Sequence, residues 1–361
     1  MTLRDTNEDE NDLLSHASMT HRISYQKIFK RQRNGIIDYI HYITKNSIQK
    51  IFIEVIYLRI CIVGEFQGNI DEGMKNVSIS LIQELSHYHD VIGLTTNDVK
   101  NVIFKNPSLN IFSSYLRKRI GSFRPETIHY IPYSAATFSS FIRAKVLSIY
   151  SKNAKVILSA LQPRKYSSFS KKIIPLVKPD LVLVQSLKSE KKLNKLECKT
   201  KFFPNGVNIE KFSPVDIKLK KKLRVKYGLD QNKFIILHVG HLKRKRNVSV
   251  LSDFKNKDNI VILITSTSSQ PDQDIIFDLQ DKGVIVWNTY FEKIEEIFQL
   301  SDCYVFPTKE NIGSIEIPLS VMEAMACNLP VVSTKFGALS RIFSEEKGFY
   351  FVEKVEDFFN K

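Results

Sequence analysis

The stretch SDCYVFPTKENIGSIEIPLSVMEAMACNLPVVSTKF, Ser301 to Phe336, decides how the chain is read. Cys303–Phe306 is a short apolar run stopped by Pro307, which suits a buried parallel strand. A polar loop follows from Thr308 to Glu316 and contains Gly313. Pro318 fits the first turn of a helix, where its missing N–H costs nothing, and the helix runs on through Glu323 to Ala326. Asn328 stands where a left-handed C-terminal cap belongs, with Pro330 beyond it. Val331 and Val332 begin the next strand. Strand, loop, helix, strand is the grammar of an α/β fold.

The loop-to-helix junction carries the chemistry. A helix N-terminus offers free N–H groups and a partial positive charge, which together suit a phosphate. Here those donors come from residues such as Leu319 and Ser320. Glu323 lies about one turn further on. Its carboxylate can accept hydrogen bonds from two vicinal hydroxyls, as on a ribose. Equally, it can do no more than favour the first turns of the helix electrostatically.

The run resembles the donor-binding segment of retaining glycosyltransferases of family 4, whose two-domain scaffold is called GT-B. That segment reads roughly E-x7-E-A-M-A-C-G-x-P-V-V, and EAMACNLPVV, Glu323 to Val332, follows it almost letter for letter. The resemblance implies that Glu323 binds the ribose of a nucleotide sugar. The family's first glutamate falls at Ile315, with Glu316 beside it and Glu310 upstream. Either Glu316 fills the slot, facing the sugar while Ile315 packs inward, or the sugar contact is altered or lost.

Two further stretches extend the resemblance. FFPNGVNIEKFSP, Phe202 to Pro214, is similar to the family's P-N-G-V-D-x-x-x-F-x-P; its prolines and the Asn205-Gly206 turn suit an interdomain linker. Phe234–Val239 reads as an apolar strand ended by Gly240, then HLKRKRN. The family's V-G-R-L-x-x-x-K-G places an arginine and a lysine on the donor diphosphate; those slots hold His241 and Arg246 here. A guanidinium can grip phosphate oxygens in a bidentate way, whereas a histidine is a weaker, pH-dependent donor. Lys243, Arg244 and Lys245 add charge. Without the resemblance the cluster reads as a basic surface turn.

The first half alternates in the same manner from Arg59 on. Ile60–Val63 is a strand, and a helix begins near Lys75; Gly73 stands where the family has a Gly-Gly pair near the donor phosphate, or is a plain turn residue. Strands follow at Val91–Leu94, Ile128–Ile131, Val156–Leu158 and Leu181–Val184, with helices at Phe138–Tyr150 and Ser189–Leu196. Ser167–Lys172 reads as an exposed loop and Lys218–Lys226 as a solvated helix face. His129 and Ser134 sit at a strand end, where α/β sheets place ligands, and are acceptor-side candidates; a hydrogen-bonded structural role for His129 is the alternative. Beyond Gln273–Asp281, Val284–Trp287, Ile294–Leu300 and the opening stretch comes a final strand, Phe349–Val352. The family carries one or two more helices there, so the C-terminus reads as shortened.

With 361 residues, 43% hydrophobic and 25% charged, the chain has room for two globular domains. A formal net charge of +15 points to anionic partners: nucleotides, acidic glycans, an anionic membrane surface or nucleic acid. Cys61, Cys198, Cys303 and Cys327 are widely spaced with no C-x-x-C, so reduced thiols and no zinc site are expected. The apolar run Ile51–Gly64 is too short for a membrane span and holds Glu54 and Arg59. MTLRDTNEDENDLL is too acidic for a signal peptide, and the basic KIFKRQR, Lys27–Arg33, precedes an Ile-rich segment that reads as a helix on the protein body or on anionic lipid.

The expected architecture is α/β: an extension over 1–58, then two Rossmann-like domains, 59–212 on the acceptor side and 213–361 on the donor side, facing across a cleft. The resemblance implies transfer of a sugar from a nucleoside diphosphate sugar to a hydroxyl of a glycan or lipid-linked acceptor with retention. It implies neither metal nor cofactor, with Arg246 and Glu316 nearest the chemistry. The expected place is the cytoplasm, with the cytoplasmic membrane face as a docking site. A degenerate homologue that binds nucleotide sugar or a partner without turnover is the second reading. A nucleic-acid-binding protein, suggested by charge alone and lacking any recognisable module, is the third.

Overall fold

A computed structural model describes residues 57–66, 73–95, 110–132, 135–265, 271–309, 314–345 and 348–353. They form two six-stranded sheets, and every strand pair in both is parallel. The first sheet holds β1 (Arg59–Gly64), β2 (Asp90–Thr95), β3 (Thr127–Tyr130), β4 (Lys155–Ala160), β5 (Leu181–Val184) and β6 (Thr200–Phe202) in the order β2-β1-β3-β4-β5-β6. The second holds β7 (Phe234–Val239), β8 (Asn259–Ile264), β9 (Ile285–Trp287), β10 (Cys303–Phe306), β11 (Val331–Thr334) and β12 (Phe349–Val352) in the order β12-β11-β10-β7-β8-β9. Both are Rossmann-like. The chain leaves one central strand in one direction, returns, and builds outward on the other side, so loops diverge between β1 and β3 and between β7 and β10. Such switch points, at the carboxyl ends of the strands, are where open α/β sheets bind ligands.

Strands buried on both faces need continuous apolar sequence. Leu181–Val184 is buried at all four positions, and Ile235–Leu237 at the centre of β7 is equally sealed. The helices are α1 (Gly73–Ser86), α2 (Ser114–Phe123), α3 (Phe138–Ser151), α4 (Ser168–Val177), α5 (Leu187–Asn194), α6 (Ile217–Lys226), α7 (Gln273–Asp281), α8 (Ile294–Leu300), α9 (Leu319–Ala326) and α10 (Leu339–Ile342). Helices α2 to α5 share one core with the first sheet: Leu116, Phe141, Ile174 and Leu193 pack with Val63, Ile128, Val156 and Val182.

Two expectations are corrected. Ser167–Lys172 opens α4 instead of forming a loop: the Ser167 hydroxyl accepts from the Ser170 N–H, an N-cap that starts a helix in spite of the polar sequence. The run Lys218–Lys226 is only partly solvated. Arg224 is buried, bonds the carbonyls of Leu300, Gln231 and Lys233, and pairs with Asp302. The extension 1–56, including Lys27–Arg33, lies outside the described residues. Among the described residues no helix is long and apolar enough to cross a membrane.

Candidate active site

The site grows from the end of β7. Beyond Val239 the chain folds through a 3-10 turn, Arg244–Arg246, closed by Asn247 at φ 56. The turn lays the Arg246 guanidinium on Gly240: a Cβ at Gly240 would lie 2.7 Å from Arg246 Nη1, so a larger residue there would displace the guanidinium. Arg246 is 7% exposed, and among the described residues it has no carboxylate partner. Burial pulls its pKa down to about 10, which leaves it charged at neutral pH. A desolvated cation without a counter-ion is costly, and an anion placed against it removes that cost.

Beneath it lies His238, fully buried. Its Nδ1 sits 2.8 Å from the Val305 carbonyl, which only accepts, so Nδ1 carries the proton. Nε2 is then an acceptor, and it is buried with no hydrogen-bond partner among the described residues. Burial, with Arg246 adding to it, lowers this histidine to about 4 and keeps it neutral. Tyr304 stacks on His238, and its hydroxyl lies 3.2 Å from the Val239 carbonyl and 2.7 Å from the Ser320 hydroxyl. Tyr304 thereby ties the end of β7 to the first turn of α9.

That first turn is the expected anion site. Pro318 is the N-cap residue, and helix geometry leaves the N–H groups of Leu319 and Ser320 without intrahelical acceptors. Glu323 follows one turn on, partly open to solvent. Burial pushes its carboxyl up to about 7, with Lys211 opposing and Glu295 reinforcing the rise. The far end closes as the sequence requires: Asn328 takes φ 61, and the Leu329 N–H reaches the Ala324 carbonyl at 3.0 Å.

Glu316 is elsewhere than expected. It is 2% exposed, and its Oε1 accepts from the hydroxyls of Ser186 (2.5 Å) and Ser189 (3.0 Å) at the N-terminus of α5. Its N–H donates to the Leu161 carbonyl, and its carbonyl accepts from the Ala338 N–H. Gly337 makes that last contact possible. It has φ +56, and a Cβ there would lie 2.3 Å from the Glu316 carbonyl oxygen. Burial raises the Glu316 pKa, the two serines opposing it. The carboxylate thus bolts the site loop to the first sheet's half. Ile315 occupies the other side of the loop, against Gly73 at the start of α1, where a Cβ would meet its Cδ1 at 2.9 Å. Ile315 rather than Glu316 therefore borders Gly73.

Next to the bolt is a second tie that the sequence did not announce. The Ile317 N–H donates to Gln185 Oε1 (3.1 Å), Asn205 Nδ2 donates to the Ile317 carbonyl (2.7 Å), and Gln185 Nε2 donates to Asn205 Oδ1 (2.7 Å). Asn205 belongs to the linker motif, which was its one sequence signal. Arg341 completes the contact, pairing with Glu190 at 2.9 Å over the Phe202 ring.

The remaining candidates are scattered. His241 is half-buried just after Gly240. His129 is sealed inside β3, with Nε2 2.8 Å from the Ser159 hydroxyl, and burial lowers it to about 4; it belongs to the sheet interior and not to an acceptor surface. Ser134, Glu310 and Gly313 lie outside the described residues. Among the described residues no three or more His, Cys, Asp or Glu gather as a metal site.

Comparison with known proteins bears on the fold and on the second half of the chain. Residues 233–361 match the family described as glycosyl transferases group 1. The alpha-galactosylglucosyldiacylglycerol synthase of Streptococcus pneumoniae is 22% identical over 143 residues, 37% of each chain. The sulfoquinovosyl transferase SQD2 of Arabidopsis thaliana is 24% identical over 267 residues, 67% of this chain and 49% of that protein. The match therefore spans half or less of the length of these two relatives. Among solved structures, Anabaena Alr3699/HepE in complex with UDP and glucose shares the fold, with a TM-score of 0.59 and 15% identity over 83% of this chain and 86% of that one. Residues 233–361, which build the second sheet and hold Gly240, Arg246 and Glu323, are thus the part of the chain that is similar to the glycosyl transferases group 1.

Proposed function

We propose that the chain transfers a sugar from a nucleoside diphosphate sugar to an acceptor hydroxyl with retention of configuration and without a metal, in the synthesis of surface glycan or glycolipid. The observation that carries this reading is the buried Arg246 guanidinium, without a carboxylate partner among the described residues and folded on Gly240 at the switch point of the second sheet. Tyr304 joins the strand end that leads to it, at the Val239 carbonyl, to Ser320 in the first turn of α9. A diphosphate there meets a cation and free N–H groups, and its charge grows as the anomeric C–O bond breaks. Preorganised donors of this kind lower that barrier without a nucleophile from the protein. Glu323, one turn on, takes the ribose hydroxyls, and His241 borders the phosphates. A lipid-linked or glycan acceptor fits the galactosylglucosyldiacylglycerol synthesis named for the Streptococcus relative. Docking on the anionic cytoplasmic face of a membrane fits the +15 charge.

A specific observation favours a second reading, a homologue that binds nucleotide sugar without turnover. Ile315 fills the slot of the first motif glutamate, and Glu316 is held by Ser186 and Ser189. A thermal-shift screen of nucleotide sugars, followed by assay of donor hydrolysis and transfer, separates the two. A raised Tm with turnover supports the enzyme, because a ligand of the folded state stabilises it. A raised Tm without turnover supports the second reading. No shift with any nucleoside diphosphate refutes both.

A further inference from the structure

One long segment of this chain is almost purely basic. Residues 110–179 contain thirteen Lys or Arg against the single Glu126, a net of +12 out of the whole chain's +15. These residues build β3, β4 and the helices α2, α3 and α4, which share one core on one face of the first sheet. The basic side chains of that helical layer are mostly turned outward: Arg117, Lys118 and Arg119 on α2 and Lys171 and Lys172 on α4 are all exposed. Among the described residues none of these five has a carboxylate within ion-pair distance.

The same layer exposes large apolar side chains. Phe112 precedes α2, Tyr115 lies on it, Ile149 ends α3, and Phe169 and Leu176 lie on α4; Phe169 is 67% and Leu176 73% exposed. Scattered singly, such residues need no explanation. Here they alternate with unpaired cations over three adjacent helices. Nucleic acid would use the cations through its phosphates but has no place for Leu176 or Ile149. A bilayer uses both, since anionic headgroups attract the basic side chains and the headgroup–acyl boundary takes the apolar ones.

We infer that the α2–α4 face of the first sheet is a docking surface for an anionic lipid bilayer. This rests on the lipid-surface part of the proposed function and is independent of the donor site. The layer also includes α5, whose N-terminus holds Glu316 through Ser186 and Ser189. The docked face and the site loop are therefore joined by one helix.

The test is co-sedimentation of the full-length chain with vesicles of phosphatidylcholine alone or mixed with phosphatidylglycerol, without nucleotide sugar. The chain partitions onto the anionic vesicles, and salt weakens the binding. The triple variant Arg117→Gln, Lys118→Gln, Arg119→Gln loses roughly a hundredfold in partition coefficient, at about fivefold per cation. The double variant Phe169→Ser, Leu176→Ser loses roughly tenfold, and that loss persists at high salt because it is not electrostatic. Equal binding to both vesicle types, or parent-like binding by both variants, overturns the inference. So does a loss seen only when Lys27, Lys30 and Arg31 are neutralised, which moves the contact to the extension. Tighter binding to a duplex oligonucleotide, unaffected by Phe169→Ser, assigns the face to nucleic acid instead. None of these failures touches the donor reading, which the thermal-shift screen tests separately.

Discussion

Two loops diverge at the switch point of the second sheet, and each buries one charge. After β7, Arg246 is 7% exposed and has no carboxylate partner among the described residues; before α9, Glu316 is 2% exposed, its Oε1 accepting two serine hydroxyls on the first sheet's half while its Oε2 is buried without a hydrogen-bond partner among those residues. The contrast separates two uses of a buried ion. A charge held by hydrogen bonds from elsewhere in the protein ties the fold together, and removing it leaves those donors orphaned. A charge left unsatisfied costs stability until a ligand arrives, and removing it harms binding and not folding.

The largest effect expected from that contrast is on stability. Glu316→Ala strips both serines of α5 of their shared acceptor and costs about 3 kcal/mol, from two bonds to one carboxylate. Urea titration followed by circular dichroism reads it; a variant as stable as the parent would dissolve the distinction. Arg246→Ala comes next and acts in the other assay. Its Tm stays level or rises, while affinity for a nucleoside diphosphate falls by about 2–3 kcal/mol and affinity for the free nucleoside holds. Equal losses for the two ligands would make Arg246 structural as well.

Glu323 sharpens the comparison through pH. Its carboxyl titrates at about 7 when folded and at the ordinary carboxylate value when unfolded. The folded state thus holds the extra proton between those values, and stability falls as pH rises from about 4.5 to about 7. Donor affinity moves the opposite way, rising through the same window as the carboxylate forms and accepts the ribose hydroxyls. Glu323→Gln flattens both profiles and lowers donor affinity at alkaline pH by about 2 kcal/mol. Calorimetry at several pH values tests it, and an unchanged slope removes Glu323 from the site. The smallest effect is that of Ser189→Ala, which takes one hydroxyl from Glu316 and costs about 1 kcal/mol of stability with donor affinity intact.

These differences also explain what the sequence could convey. Arg246 was legible because its site is local: Gly240 and Arg246 lie six residues apart on one turn. Strands such as Leu181–Val184 and Cys303–Phe306 were legible because burial on both faces demands unbroken apolar runs. Helix α2 was not, since LRKR and Gly121 mask a face that only Leu116 and Ile120 bury. Nor was α4, with Pro175 near its end and serines at its start. The bolt at Glu316 was illegible for a different reason. The sequence allowed a carboxylate one place from the motif position to swing into the slot, and nothing local revealed Ser186 and Ser189 waiting 130 and 127 residues upstream.

Those separations bear on the order in which the molecule assembles. Gln185, Ser186, Ser189 and Asn205 come from the first sheet's half and leave the ribosome before Ile315–Pro318 exists. Apart from the Ala338 N–H on the Glu316 carbonyl, the loop that leads into α9 is specified by groups more than 110 residues away. Closing such distant contacts is slow and follows the formation of locally stabilised parts. The earlier half therefore serves as a template on which the later half's site is finished. Residues 233–361 made alone would form their sheet around β7 and β10 yet leave this loop unset, a folding defect concentrated at the place where the proposed donor site would need it most.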